Sequence, residues 1–388
     1  MNKSILSKSG FSLVILLYLT NPGGIAQSIN DKRNANIVFH TGEREELLCY
    51  SETIEVDKDK IGLNGFKNID SGSFENGKLR SKRYQSMTKD DAALWQKELR
   101  TKLFDVLQMD DLVSEDTDIP LNIKTISSTD EADYISYEKE MNSTMGRRIK
   151  FVITIPGNQK GPFPAIIFLA GHGGSCHSVY KEEYGYYNIG RHLASDGFVT
   201  LSVKISQHDI YELGRTNMGE RLWDLMRCVD YLFTCDFVDT KRVGCGGKSL
   251  GAEMAMWLGA MDERIKASLV AGFLTSMDQM EKNHCMCWKF PGLRELVDYA
   301  DIYSLIAPRA LCFLNGLDEP SDQFPPSVAL PVFNELAIAY MDWEIPENVS
   351  LVVHKGGHIV NVPCVLEFFD QHLRKELKMT PFSERTRL

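Results

Sequence analysis

The rhythm of apolar and polar positions changes twice along the chain. Residues 27–87 are polar, poorly periodic and rich in turn pairs such as Asn64-Gly65, which predicts an irregular extension. Thr88-Lys89-Asp90-Asp91 then supplies a helix start, a capping hydroxyl followed three residues later by an acid. Ala92, Trp95, Leu99, Leu103 and Val106 follow at helical spacing and predict an amphipathic helix to about residue 109, packed on the rest of the chain. Segments 121–127, 132–141 and 147–155 each alternate polar and apolar residues, the period of antiparallel strands with one wet face.

From Pro164 onward the period changes again. Residues 165–169 (AIIFL) are continuously apolar, as a strand covered on both faces of a parallel sheet requires. Helix-period and strand-period segments then take turns. Helices are predicted at 188–195, 218–233, 252–261, 328–340 and 362–377, and strands at 198–203, 242–246, 266–273, 310–314 and 349–353. Residues 274–304 read as an insertion of short helices.

Candidate chemistry lies where the 242–246 strand meets the 252–261 helix. Gly247-Lys248-Ser249-Leu250-Gly251 is a G-x-S-x-G, a pentapeptide common by chance. A strand before it and a helix after it turn it into a nucleophile elbow, with Ser249 strained and its Oγ exposed. Residues two before and two after the serine then pack on each other, so Gly247 and Gly251 have no room for side chains. Lys248, beside the nucleophile, either favours an anionic group or faces solvent, and the solvent-facing arrangement is the one expected.

A serine hydroxyl needs a base, an orienting acid and donors for the oxyanion. On this plan the acid and then the histidine follow the serine in chain order. The loop after the 310–314 strand reads Asn315-Gly316-Leu317-Asp318-Glu319-Pro320-Ser321-Asp322. Asp318, just past the glycine, is the first choice of acid; Asp322 is second and Glu319 third. The loop after the last strand reads His354-Lys355-Gly356-Gly357-His358, and two glycines let His358 bend over the sheet edge as the base. His354 belongs to the strand end and reads as structural. His208 and His284 lie in the wrong places for the base, although either could contact substrate. The oxyanion donors are expected at Leu250 N–H and at Gly173 or Gly174, in the Ala170-Gly171-His172-Gly173-Gly174 loop. The His172 side chain is given no catalytic role.

Antiparallel strands leading into a β/α-alternating parallel sheet with an elbow is the α/β-hydrolase plan: a mostly parallel central sheet, helices on both faces and an N-terminal helical extension. The runs GKSLGAEMAMWLGAMDERIKASLVAGF, GHGG, DIYSLIAPRALCFLNGLDE and HKGGH together resemble the secreted bacterial acetyl xylan esterase-like α/β-hydrolases, relatives of dienelactone hydrolases. The resemblance covers roughly residues 90–378 and rests on the combination of motifs, since each alone is widespread. It implies a carbohydrate esterase that removes acetyl or methyl esters from plant polysaccharide, and it carries the triad onto Ser249, Asp318 and His358. The acid loop runs longer than that pattern, which leaves Asp318 and Asp322 both open. Trp223, Trp288, His284 and Tyr303 come from segments that could cap the site, either as a platform for a sugar ring or as core under the insertion.

Composition narrows the partners. The chain has 388 residues, enough for one large domain with an attached segment, and a formal net charge of −10, which makes it a poor binder of nucleic acid. Lys3 and Lys8, the apolar run 11–19 and the small-x-small site ending at Ala26 read as a signal peptide over 1–26. Its apolar run is too short to span a bilayer. The expected organisation is therefore 1–26 signal peptide, 27–110 extension and 111–380 catalytic domain, secreted or periplasmic, with no stable membrane insertion after cleavage. Nine cysteines leave at least one without an intramolecular partner, and Cys228, Cys312 and Cys364 sit in apolar runs as buried thiols. Cys285-Met286-Cys287 has the wrong spacing for a zinc knuckle and no partner pair, so neither a metal nor a cofactor is expected. A lipase is disfavoured by the charge of 274–304, and a propeller-bearing peptidase by the shortness of 27–110. A thioesterase, or a binding protein that kept the fold without catalysis, remains the alternative to an esterase.

Overall fold

The computed structural model describes residues 36–40, 79–114, 118–157 and 159–374. The expected signal peptide, most of the 27–87 extension, Cys49 and residues 375–377 of the expected closing helix lie outside them. Its elements are β1 (Asn36–His40), α1 (Lys89–Val106), β2 (Lys124–Asp130), β3 (Tyr134–Asn142), β4 (Arg148–Pro156) and β5 (Phe163–Leu169). There follow α2 (Ile189–Ser195), β6 (Val199–Val203), α3 (Asn217–Thr234), β7 (Val238–Lys248), α4 (Leu250–Met261) and β8 (Ala267–Ala271). The insertion holds α5 (Met277–Asn283), α6 (Leu293–Leu296) and α7 (Tyr299–Ser304). The chain closes with β9 (Ala310–Gly316), α8 (Pro326–Asp342), β10 (Val349–His354) and α9 (Val362–Phe369).

Ten strands form one sheet in the order β1-β10-β9-β8-β7-β5-β6-β4-β3-β2. Pairings β2·β3, β3·β4 and β4·β6 are antiparallel, and from β6 through β5 to β10 every pairing is parallel. The continuous apolar run of β5 explains its central place. Ala165, Ile167 and Leu169 face a core shared with α1, α3, α4, α7 and α8; Ile166 and Phe168 face a second core under α2 and α9. Alternate residues thus enter opposite cores, which is how a doubly covered strand differs from a half-wet one. The fold is an α/β-hydrolase fold.

Two sequence expectations shift here. Residues 36–40, inside the stretch read as irregular, form a strand that extends the parallel edge beside β10. β2 lies at 124–130 rather than 121–127, and all seven of its residues are exposed. Its place is set by pairing with β3, from Lys124 opposite Glu140 across a bulge between Thr125 and Ser127, not by apolar residues of its own.

Helix α1 begins where expected, capped by the Thr88 side chain, which accepts from Asp91 N–H. It buries Ala92, Leu99 and Leu103, but Trp95 and Val106 are only half-buried and Gln96 lies deeper. Gln96 Nε2 donates to the Ser304 and Ala307 carbonyls at 2.9 and 2.7 Å, satisfying the C-terminal end of α7. The preceding segment is fastened beside it, where buried Arg80 pairs with Asp301 at 2.6 Å. Cys228, Cys312 and Cys364 are buried, as their apolar surroundings predict.

Candidate active site

The site gathers at the carboxyl ends of the parallel strands, where loops leave a covered sheet. β7 runs straight into α4 with only Ser249 between them, at φ 58°, ψ −124°. A non-glycine residue in that region is strained and persists only where its surroundings hold it. Three observations account for the hold. Ser249 N–H donates to the Ala271 carbonyl at 2.9 Å. A Cβ on Gly247 would lie 2.3 Å from Gly251 O, and one on Gly251 would lie 2.2 Å from Leu169 O, so the turn closes only with glycine at both places. Every residue of α4 is buried, so the helix cannot retreat to relax the turn.

His358 lies across Gly272 from this turn. A Cβ at Gly272, which has φ +63°, would meet His358 Nδ1 at 2.7 Å and Glu319 Oε1 at 3.1 Å. Gly272 directly follows Ala271, whose carbonyl anchors Ser249. His358 Nδ1 and Glu319 Oε1 are 2.9 Å apart, with the Glu319 side chain 1% exposed. His358 is thus paired with Glu319 and not with Asp318, the acid expected beside it: Asp318 and Asp322 are exposed, and Glu319 turns inward. The cause is local backbone geometry. Asp318 N–H donates to Gly356 O and Glu319 N–H to Gly316 O, which aims Asp318 at solvent and Glu319 at the histidine loop. Ser249 Oγ and His358 share no hydrogen bond among the described residues, a common state before substrate is bound. His354 ends β10 fully buried, as a structural residue should.

The residues expected to donate to the oxyanion divide. Leu250 is the first residue of α4, so its N–H has no carbonyl to bond within the helix. Gly173 has φ +70° and faces open space, where a Cβ would touch nothing within 4 Å. Gly174 differs: its N–H already donates to Gly171 O at 3.0 Å, closing the turn. The loop is fixed close to Ser249, because a Cβ on Gly171 would meet Ser249 Cβ at 3.0 Å and Gly171 N–H donates to the Tyr186 hydroxyl.

Lys248 does not face solvent. It is 8% exposed, its Nζ donates to Tyr184 O at 2.5 Å, and it lies 4.9 Å from the Tyr186 ring centre. Burial lowers its pKa, and the charge of Glu319 works against that fall. Of the aromatic residues weighed as a sugar platform, Trp223, Trp288 and Tyr303 are buried core. His284 alone reaches the site, stacked on Phe324, which stacks in turn on His358.

The pairing that sequence reasoning missed is in the insertion. Cys285 and Cys287, expected to lack partners, meet His172 and His208: Cys287 Sγ is 3.3 Å from His172 Nε2 and Cys285 Sγ is 3.2 Å from His208 Nε2. Burial, then the charges of Arg221, His208 and His284, hold the His172 pKa down at about 4, so its ring is neutral. Sequence spacing carried no signal, because the two histidines sit on separate loops far from the cysteines in the chain.

No protein-family model matches the chain. It is 26% identical over 228 residues, 52% of this chain and 75% of the other, to "Putative hydrolase YtaP" of Bacillus subtilis (strain 168). The crystal structure of a "putative acetyl xylan esterase" from Bacteroides fragilis superposes with a TM-score of 0.61 at 17% identity, covering 76% of this chain and 87% of that one. A glucuronoyl esterase from Solibacter usitatus superposes at 0.58 with 13% identity, covering 76% and 96%. At these identities the likeness is one of architecture, and it agrees with the strand order and the elbow described above: the chain has the fold of the α/β-hydrolases.

Proposed function

We propose that the chain is a secreted or periplasmic serine hydrolase of carboxylic esters, acting on acetyl or methyl esters of plant polysaccharide. The observation that carries this reading is Ser249, strained on its elbow, beside a His358–Glu319 pair across Gly272. In this reading His358 Nε2 takes the Ser249 proton as Oγ attacks the ester carbonyl. Glu319 holds the Nδ1–H and stabilises the imidazolium. Leu250 N–H and the Gly173 amide receive the tetrahedral oxyanion. An acyl-enzyme forms, the sugar hydroxyl or small alcohol leaves, and water repeats the cycle. The hydrolase name of the bacterial relative and the esterase names of the fold neighbours support the reaction class; the carbohydrate ester follows from those names and from the sequence resemblance.

The test compares the purified protein with its Ser249→Ala variant on 4-nitrophenyl acetate. The variant is expected to lose roughly a thousandfold or more in kcat. Acetylated xylan and methyl-esterified polysaccharide, assayed by released acetate and methanol, then divide the two ester classes. Equal activity in wild type and variant would remove Ser249 from the mechanism.

A further inference from the structure

Three loops at the carboxyl edge of the sheet bring four soft or borderline ligand groups to one point. His172 comes from the loop after β5, His208 from the loop after β6, and Cys285 and Cys287 from the insertion after β8. One ligand atom from each lies within 4.8 Å of every other. The two imidazoles stack with centroids 5.6 Å apart, so both rings present an edge to the same pair of sulfurs.

These dimensions match a tetrahedral ion. Bonds of about 2.3 Å to sulfur and about 2.0 Å to nitrogen give ligand–ligand edges of roughly 3.3–3.8 Å. The closest nitrogen–sulfur pairs, at 3.2 and 3.3 Å, lie within a few tenths of an ångström of that separation, and no pair exceeds 4.8 Å. A second observation points to an anion at one of the sulfurs. Arg221 is fully buried and forms no ion pair among the described residues. Its Nε has no hydrogen-bond partner, and its Nη1 lies 3.5 Å from Cys287 Sγ. Burial disfavours the carboxylate form of Glu253, the acid that this guanidinium acts on, and a metal-bound thiolate at Cys287 supplies a counter-ion.

We propose that His172, His208, Cys285 and Cys287 form a closed tetrahedral site for a zinc-class divalent cation. Two neutral imidazoles donate through Nε2, and both thiols lose their protons to solvent as the metal binds, so the ion and two thiolates together are neutral. Four protein ligands leave no open position for water, which makes the site structural rather than hydrolytic. Its effect is to pin the insertion to the loop that carries His172 and Gly173. The inference does not depend on the esterase reading, because metal content is measured without any substrate.

The full-length protein, purified from zinc-supplemented medium and dialysed against metal-free buffer, is expected to retain roughly one zinc per chain by elemental analysis. A double variant, Cys285→Ser with Cys287→Ser, should retain less than about a tenth of that, while Cys235→Ser, outside the cluster, keeps it. Cobalt(II) added to the stripped wild type should give thiolate-to-cobalt charge-transfer bands and the intense visible bands of tetrahedral cobalt, both absent from the double variant. His208→Ala leaves three ligands and should lose zinc to a chromophoric chelator at least tenfold more readily. Circular dichroism checks the fold of each variant; if the double variant does not fold, the wild-type cobalt spectrum decides alone. A wild type that holds no zinc and gives no tetrahedral cobalt spectrum overturns the proposal. So does metal content that is unchanged in the folded double variant, or a Cys285–Cys287 disulfide in place of metal.

Discussion

Side-chain direction, more than side-chain type, decides which carboxyl serves His358. Three acids crowd residues 318–322, and two backbone hydrogen bonds sort them by turning Asp318 outward and Glu319 inward. A glutamate reaches one methylene further than an aspartate, which lets it bridge to Nδ1 at 2.9 Å from a buried position. Glu319→Gln keeps the shape but loses the negative charge, and its amide NH2 can donate to Nδ1 and select the wrong imidazole tautomer. It is expected to lower kcat on 4-nitrophenyl acetate by roughly a hundredfold to ten-thousandfold. Asp318→Asn and Asp322→Asn should each stay within about twofold. A collapse in Asp318→Asn with an active Glu319→Gln would return the role to the aspartate. At this scale the elbow at Ser249 and the loop that brings His358 beside Gly272 were legible, because glycines at fixed offsets mark both. The acid was legible only as a loop, since a turn's hydrogen bonding is not written in its residue types. Lys248 was misread for a related reason: what covers it is the 184–186 segment, remote in the chain.

Loops that meet backbone to backbone set the tolerance of the elements that carry the site. A Cβ on Gly316, the last residue of β9, would lie 2.2 Å from Gly357 O and 2.4 Å from Gly356 O. The acid loop and the histidine loop therefore close on each other only because position 316 has no side chain. Gly316→Ala must part them, at a cost of about 3 kcal/mol or more by urea unfolding, with loss of any activity on 4-nitrophenyl acetate. Gly173→Ala is the contrast. Its positive φ costs about 1 to 2 kcal/mol, but the added methyl meets nothing. Equal destabilisation of the two variants would mean that the crossing of the loops is not what requires Gly316. Elements with a strong period were legible in the sequence: β5, α3, α4 and the β/α alternation. β2 was displaced because its register comes from β3, and β1 went unread because its parallel neighbour β10 lies over 300 residues along the chain. The His–Cys cluster belongs with these, as its four members share no element.

Across the whole molecule, the large core beside α3 and α4 encloses charge as well as apolar surface. Glu253, on α4 and 1% exposed, accepts from the Tyr299 hydroxyl at 3.2 Å. Burial raises its pKa from 4.5 to about 7, and Arg221 and the Tyr299 hydrogen bond only partly oppose that rise. The folded state therefore holds this proton more tightly than the unfolded chain does. The stability it contributes is complete below about pH 4.5 and is lost as pH rises through about 7, because the unfolded chain releases the proton first. A shift of this size corresponds to about 3 kcal/mol between those limits. Glu253→Gln keeps an acceptor for Tyr299 and cannot ionise. Subtracting the urea-unfolding free energy of the variant from that of the wild type, pH by pH, should give a difference that falls between pH 4.5 and 7 and is level below. A flat difference would mean that Glu253 ionises alike in the folded and unfolded states. A difference that rises with pH would mean that Arg221 outweighs burial and stabilises the carboxylate. Arg221 would then have its counter-ion in Glu253, and Cys287 would no longer be needed as the anion beside it.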